Sequence, residues 1–179
     1  KQNWKIYYQA CKDEGMMFLR ILKDAVDYLD IPIQYCNNGR PSADLKDILK
    51  ALCIQAYCGK SGWTVNSELE KAKAMGIIEK VYRKSTLNKY LGKKEIIELL
   101  DKLFKTIAEP LSAIEDKIAI DGTGISVAYG RKRWIEVREE FQLHKDYKKL
   151  VIIVGTKTNI IFCAEVTKGT ANESPLLKP

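Results

Sequence analysis

The chain of 179 residues is 46% hydrophobic, 30% charged and 9% aromatic, the composition of a folded globular protein rather than a disordered one. Its longest uninterrupted aliphatic run, Leu150 to Val154, is far short of the ~20 residues of a membrane-spanning helix, and the opening KQNWKIYYQACKDEG lacks a signal peptide's apolar segment and cleavage site. The net charge of +7 argues for an anionic partner, and the features together for a cytoplasmic protein with no membrane association.

The chain reads as helical over its first two-thirds. Met16, Leu19, Leu22, Val26 and Leu29 recur at three- and four-residue steps and predict a helix over 10–30. The stretch IPIQYCNNGRP is a loop, by its two prolines and Asn-Asn-Gly turn. A second helix is expected from Ser42, as N-cap, to Tyr57, with Leu45, Ile48, Leu49, Leu52 and Ala56 inward and Gly59 as its stop. A third follows from Thr64, with Val65, Leu69, Ala72 and Met75 inward and Gly76 beyond its end. Ser85 opens a short helix, STLNKYL, closed by Gly92. The longest helix is expected from Lys94, with Ile96, Leu100, Leu103, Ile107, Leu111 and Ile114 in one stripe and Pro110 as a kink or interruption.

At Lys117 the period changes. KIAID alternates as a strand does, and VIIVG and NIIFCAEVT are β-branched runs separated by Thr-Lys-Thr, which predicts a hairpin. The intervening residues 122–147 are first glycine-containing and then strongly charged. The expected fold class is therefore α+β: a helical domain over 1–116, then three antiparallel strands of a second domain over 117–179. Three strands without a covering helix bury little apolar surface, and the chain lacks an initiator Met, so a piece of a longer protein is expected.

Charge and site chemistry are unevenly distributed. Residues 71–94 hold eight basic residues and one acidic one, Glu79, while the rest of the chain is neutral. Clustered cations release counterions from a polyanion, which favours a nucleic-acid partner over an incidental lysine-rich surface. Within GWTVNSELEKAKAMGIIEKVYRKSTLNKYLG, an amphipathic helix, a basic connection and a short helix have the order of a helical DNA reader. Ser85, Thr86 and Asn88 can donate to phosphates or bases, flanked by Arg83, Lys84, Lys89 and Lys93. The connection of about nine residues exceeds the tight turn of a helix-turn-helix, so a plain three-helix packing unit is the competing reading.

Asp121 is expected at the end of the first strand, on a Gly-Thr-Gly turn, where a carboxylate can reach a divalent cation or bond its own turn. Glu136, Glu139 and Glu140 are more simply part of a self-compensating charged loop or ribbon with Arg131, Lys132, Arg133 and Arg138. His144 has no orienting partner in sequence and reads as a surface or DNA-facing residue. The five cysteines show no CxxC pair, exclude a Cys/His zinc site with a single histidine, and read as reduced and mostly buried.

The order of these features resembles a known family. The run from GRPSADLKDILKALCIQAYCGKSGW to LGKKEIIELLDKL is similar to the helical N-terminal part of bacterial and archaeal insertion-sequence transposases. The continuation, IAIDGTGIS and then KDYKKLVIIVGTKTNIIFCAEVTKGTANESPLLKP, resembles the start of their DDE catalytic domain. The resemblance implies a ribonuclease-H-like second domain in which Asp121 is the first catalytic carboxylate, a ligand to two Mg²⁺ (or Mn²⁺) ions. It further implies double-stranded DNA as partner, the terminal repeats of the element, read by the helical domain. The basic stretch 131–149, with Arg131, Lys132, Arg133 and Lys148, would grip the backbone, and a homodimer is an open alternative. Two departures stand out. Gly122 replaces the family's Ser, and the second Asp and the Glu would lie past Pro179, since Glu173 matches a non-catalytic position. A non-catalytic DNA-binding remnant, or a nuclease or resolvase of the same fold, is the alternative.

Overall fold

The computed structural model describes residues 3–31, 43–126, 133–137, 140–144 and 147–168. They divide into two compact units, Lys1–Leu103 and Phe104–Pro179.

The first unit is helical. Its first helix, α1 (Trp4–Tyr28), starts earlier than the periodicity predicts, because Asn3 caps it by accepting from the Ile6 amide at 3.4 Å. Only Leu22 and Val26 of α1 are buried, so the apolar stripe is used in the second half of the helix. There it packs on α2 (Leu45–Tyr57): the Phe18 and Tyr57 rings stack 3.9 Å apart, and the buried Lys50 ammonium lies 2.6 Å from Asp27.

α2 is the centre of the unit, with Ile48, Leu49, Ala51, Leu52 and Ile54 all buried. Its N-cap is Asp44 rather than the expected Ser42, which lies outside the described residues. The Asp44 carboxylate accepts from the Lys46 amide at 2.7 Å. Its end is set as expected by Gly59, whose φ of 60° is the left-handed conformation a residue without Cβ takes freely.

Next, α3 (Asn66–Ala74) buries Leu69 and Ala72, with Val65 buried just ahead of it. Met75, expected inward, is instead 41% exposed, because the helix ends one residue earlier and Gly76, at φ 68°, turns the chain away. The nine-residue connection leads to α4 (Lys84–Leu91), which buries Leu87 and Tyr90 and ends at Gly92.

α5 (Lys94–Ser112) is shorter than α1, contrary to the expected ranking. Its buried residues are Ile96, Leu99, Leu103 and Ala108, so the inward face is rotated slightly from the expected stripe, with Leu99 replacing Leu100. Pro110 sits inside the last turn without breaking the helix. The missing N–H costs one bond there, and only two residues follow it.

The second unit holds a three-stranded antiparallel sheet of β1 (Ile118–Ser126), β4 (Tyr147–Gly155) and β5 (Ile161–Lys168), in the order β1-β4-β5. Between β1 and β4 the chain forms a separate two-stranded ribbon, β2 (Arg133–Val137) with β3 (Glu140–His144). Ile153 pairs with Cys163 but Val154 with Ile161, so Phe162 is the extra residue of a β-bulge that bends β5. The sheet carries apolar side chains on both faces. Val151 is nonetheless its only buried hydrophobic among the described residues, and Ile118, Ile120, Ile125 and Val166 are exposed.

The β4–β5 hairpin is fastened at its loop. Asn159 takes φ 57°, which Asn tolerates better than most residues, and its amide donates to the Gly155 carbonyl at 3.0 Å. The Glu115 carboxylate accepts from the Lys157 and Thr158 amides and the Thr158 hydroxyl, and these donors hold its pKa below the ordinary range, Thr158 most of all. A Cβ on Gly155 would meet that carboxylate, so a larger residue there would displace the Glu115 side chain from the loop. The loop of the hairpin is thereby tied to the segment that enters β1.

Candidate nucleic-acid interface and the Asp121 carboxylate

The connection between α3 and α4 is long, yet it is held firmly. Ile77 and Ile78 are buried, which anchors its first half through apolar contact. Asp47, in the first turn of α2, is itself buried and receives the Glu79 amide at 3.1 Å on both oxygens and the Lys80 amide at 2.9 Å. Two residues on, the Tyr82 hydroxyl accepts from the Asp44 amide at 3.0 Å. Burial is the main cause of the raised Tyr82 pKa, so it stays a neutral phenol. The N-terminal turn of α2 thus grips the stretch 79–82 that delivers α4, replacing the short turn of a helix-turn-helix with a side-chain clamp.

The clamp sets which face of α4 meets solvent. Leu87 and Tyr90 point inward, and Ser85, Asn88 and Lys89, spaced i, i+3 and i+4, share the exposed face. Arg83 is exposed at the N-cap position, and Thr86 is half-buried. Six of the seven sequence-predicted contacts therefore occupy one short helix or its cap, on an element whose inner side is fully packed.

The seventh, Lys93, differs. Its ammonium lies 3.0 Å from Glu95 and 4.0 Å from the Tyr90 ring, and the Glu95 hydrogen bond is the main cause of its raised pKa. Lys71 is likewise paired with Glu68 at 3.2 Å, and Lys94 with Glu98 at 3.6 Å. Glu68, drawn down in pKa mainly by its Lys60 hydrogen bond, is satisfied by two lysines. Lys73, Lys80, Arg83, Lys84 and Lys89 make no ion pair among the described residues. The charge excess of 71–94 is carried outward by those five.

The structure adds one neighbour that the charge pattern does not reveal. Trp63 is 76% exposed, and the Lys84 ammonium stands 4.6 Å from its ring centroid. A signal existed in the sequence, an aromatic within a polar turn, but nothing local links residue 63 to residue 84.

Asp121 does not end its strand. It is the fourth of nine residues in β1, and the strand continues through Gly-Thr-Gly because Gly122, Thr123 and Gly124 pair with Val151, Leu150 and Lys149 of β4. A partner strand supplies the hydrogen bonds that an isolated glycine-rich segment lacks, and this overrides the turn tendency read from sequence. Asp121 is exposed, and its Oδ1 accepts from the Gly122 amide at 2.8 Å, the local bond of the simpler reading.

The side chains of directly paired residues share a face, so Asp121 lies with Ile152 and Ala164, and Glu165, paired with Val151, lies on the other side of the sheet. No cluster of three His, Cys, Asp or Glu occurs among the described residues. One exposed carboxylate does not fit two strongly hydrated Mg²⁺ or Mn²⁺ ions. No catalytic step follows from the described residues.

Of the remaining candidates, Arg131, Lys132, Arg138 and Glu139 lie outside the described residues. Arg133 is on β2 opposite His144 on β3, Glu136 is on β2 and Glu140 on β3, and Lys148 is exposed on β4. The charged stretch is thus in part a ribbon, as the second of its two sequence readings has it. The described thiols are less buried than expected, and Cys36 lies outside the described residues. Cys11 and Cys163 are exposed and free, and Cys53 and Cys58 are half-buried and free.

No family model matches the chain, and neither does any curated protein or solved structure. No helix among the described residues is long and apolar enough to cross a membrane.

Proposed function

We propose that this chain binds double-stranded DNA through α4 and its N-terminal approach, as the end-recognition part of an insertion-sequence transposase. On this reading the sheet of β1, β4 and β5 is the opening of a ribonuclease-H-like DDE domain with Asp121 as its first acidic residue. One observation carries the DNA reading: Arg83, Ser85, Asn88 and Lys89 converge on the solvent face of a helix packed from behind, and neither Arg83 nor Lys89 is neutralised by a described carboxylate. A face of that kind offers cations and short polar donors to phosphates without first breaking an ion pair. The order of helical unit, antiparallel sheet and Asp121 on the first strand supports the transposase assignment.

The test is the salt dependence of duplex binding, followed by fluorescence anisotropy. Each phosphate contact adds about 0.9 to the slope of log affinity against log salt. Neutralising Arg83, Lys84 and Lys89 to Gln is expected to reduce that slope by about 2–3. Lys93→Gln is expected to change it little, since Glu95 already holds that charge. An unchanged slope in the triple variant would place the contact surface elsewhere and sink the reading.

A further inference from the structure

The least explained side chains of the helical unit are Trp63 and Lys84, and they belong together. Gly62 is buried, and a Cβ added there would come within 2.6 Å of Lys84 Cγ and 3.3 Å of its Cδ. The lysine stem therefore lies along the Gly62 backbone, and its ammonium ends over the Trp63 ring at 4.6 Å. A long, ordinarily mobile cation is thus held in one place by a glycine beneath it and an indole beside it.

Neither feature serves the core. Trp63 is 76% exposed, an unusual position for the most costly aromatic to leave in water. Lys84 makes no ion pair among the described residues, and the ring covers one side of an ammonium that has three donors. Arg83 beside it is exposed, α4 has no side-chain cap at its N-terminus, and Ser85 follows, also exposed. The acid nearest to Trp63 in sequence, Glu68, is held by Lys60 and Lys71. The site presents positive charge and a flat apolar face side by side.

Two kinds of polyanion would satisfy the charge, an acidic protein segment or a nucleic-acid strand. Only the strand also satisfies the ring, because its phosphates alternate with sugars whose carbon faces pack on an indole. We propose that Gly62, Trp63 and Lys84 form a backbone clamp for duplex DNA. Lys84 holds a phosphate, Trp63 packs against the adjoining deoxyribose, and Gly62 is a positioning residue that acts through Lys84. The clamp rests on the DNA-binding reading above and extends the contact surface from Lys84, the first residue of α4, to Gly62 and Trp63 outside that helix.

The 179-residue chain contains three tryptophans, so Trp4→Phe with Trp134→Phe leaves Trp63 as its sole indole reporter. Duplexes of unrelated sequence are titrated from 50 to 200 mM salt, roughly the range over which phosphate contacts are resolved, with anisotropy and indole emission read together. The expected result is a change in Trp63 emission that saturates with the anisotropy. Trp63→Leu should weaken binding about tenfold, alike for every sequence, because sugar and phosphate carry no sequence information. Gly62→Ala and Lys84→Gln should each lower the salt slope by about one contact, and the second variant keeps the test valid should the first fold poorly. Duplex binding with unmoved Trp63 emission, or unaltered affinity in both Trp63→Leu and Lys84→Gln, overturns the clamp and leaves the α4 reading standing. Polyglutamate binding as tightly as duplex, with the same emission change, overturns it in favour of a protein partner. Failure of the unsubstituted chain to bind any duplex removes both readings.

Discussion

Replacing Asp47 by Ala tests the device that holds α4 in place. Its carboxylate is buried and receives two backbone donors, the Glu79 and Lys80 amides, which stand 32 and 33 residues away in sequence. A hydrogen bond to a charged group contributes about 1.5–3 kcal/mol. The connection is only part-buried, so water can recover some of each lost bond, and a total cost of about 2–4 kcal/mol is expected. Loss of a negative charge from the first turn of α2 adds about 0.3–1 kcal/mol. With a urea dependence of ~2 kcal/mol per molar, the midpoint should fall by about 1–2.5 M. Asp47→Asn, which keeps one acceptor oxygen but turns an amide toward the same donors, should fall between the two. Asp44→Ala, which removes only a helix cap, should cost ~1 kcal/mol and is the internal control. Duplex affinity should drop with Asp47→Ala even in urea-free buffer, because the approach to α4 is no longer fixed. A midpoint within about 0.2 M of the unsubstituted protein would show that Ile77, Ile78 and the Tyr82–Asp44 bond hold the connection without Asp47.

Four further outcomes are expected. Burial pushes the Cys53 thiol up to about 11 from an ordinary 9.0, so Cys11 and Cys163 should alkylate well before Cys53 at pH 8. The same raised value favours the neutral thiol, so stability on the order of 2–3 kcal/mol is present below pH 9 and lost as pH rises toward about 11; an identical alkaline limb in Cys53→Ala would refute the assignment. Glu115 has a lowered pKa, so its hold on the β4–β5 loop is present above the ordinary carboxylate range and lost as pH falls through the lowered value. Protection of the Lys157 and Thr158 amides, measured relative to their intrinsic exchange rates, should fall across that acid step in the native chain and show no such step in Glu115→Gln. Supplied with Mg²⁺ or Mn²⁺, the 179-residue chain should nick duplex DNA no faster than its Asp121→Asn variant; nicking abolished by that substitution would show that residues outside the described set complete a metal site.

Local signals carry much of this architecture. Gly59 and Gly76 end helices where the sequence places them, because the left-handed reversal each makes is a property of a few adjacent residues, and α4 likewise ends at Gly92. The switch to strands just after Lys117 and the β4–β5 hairpin follow from period and β-branching in the same way. On α4, the apolar Leu87 and Tyr90 fix by spacing alone that Ser85, Asn88 and Lys89 face outward. Where an outcome depends on a partner far along the chain, the residues themselves are silent. The Gly-Thr-Gly after Asp121 has the composition of a turn and is extended only because β4, about thirty residues later, supplies its hydrogen bonds. Asp47 reads as an ordinary first-turn acid of a helix until Glu79 and Lys80 fold onto it. Trp63 and Lys84 stand 21 positions apart and meet only because that clamp brings the start of α4 beside Gly62. Period and capping act within a turn or two of chain, whereas charge compensation and contact between surfaces are set by chain closure, which no local pattern encodes.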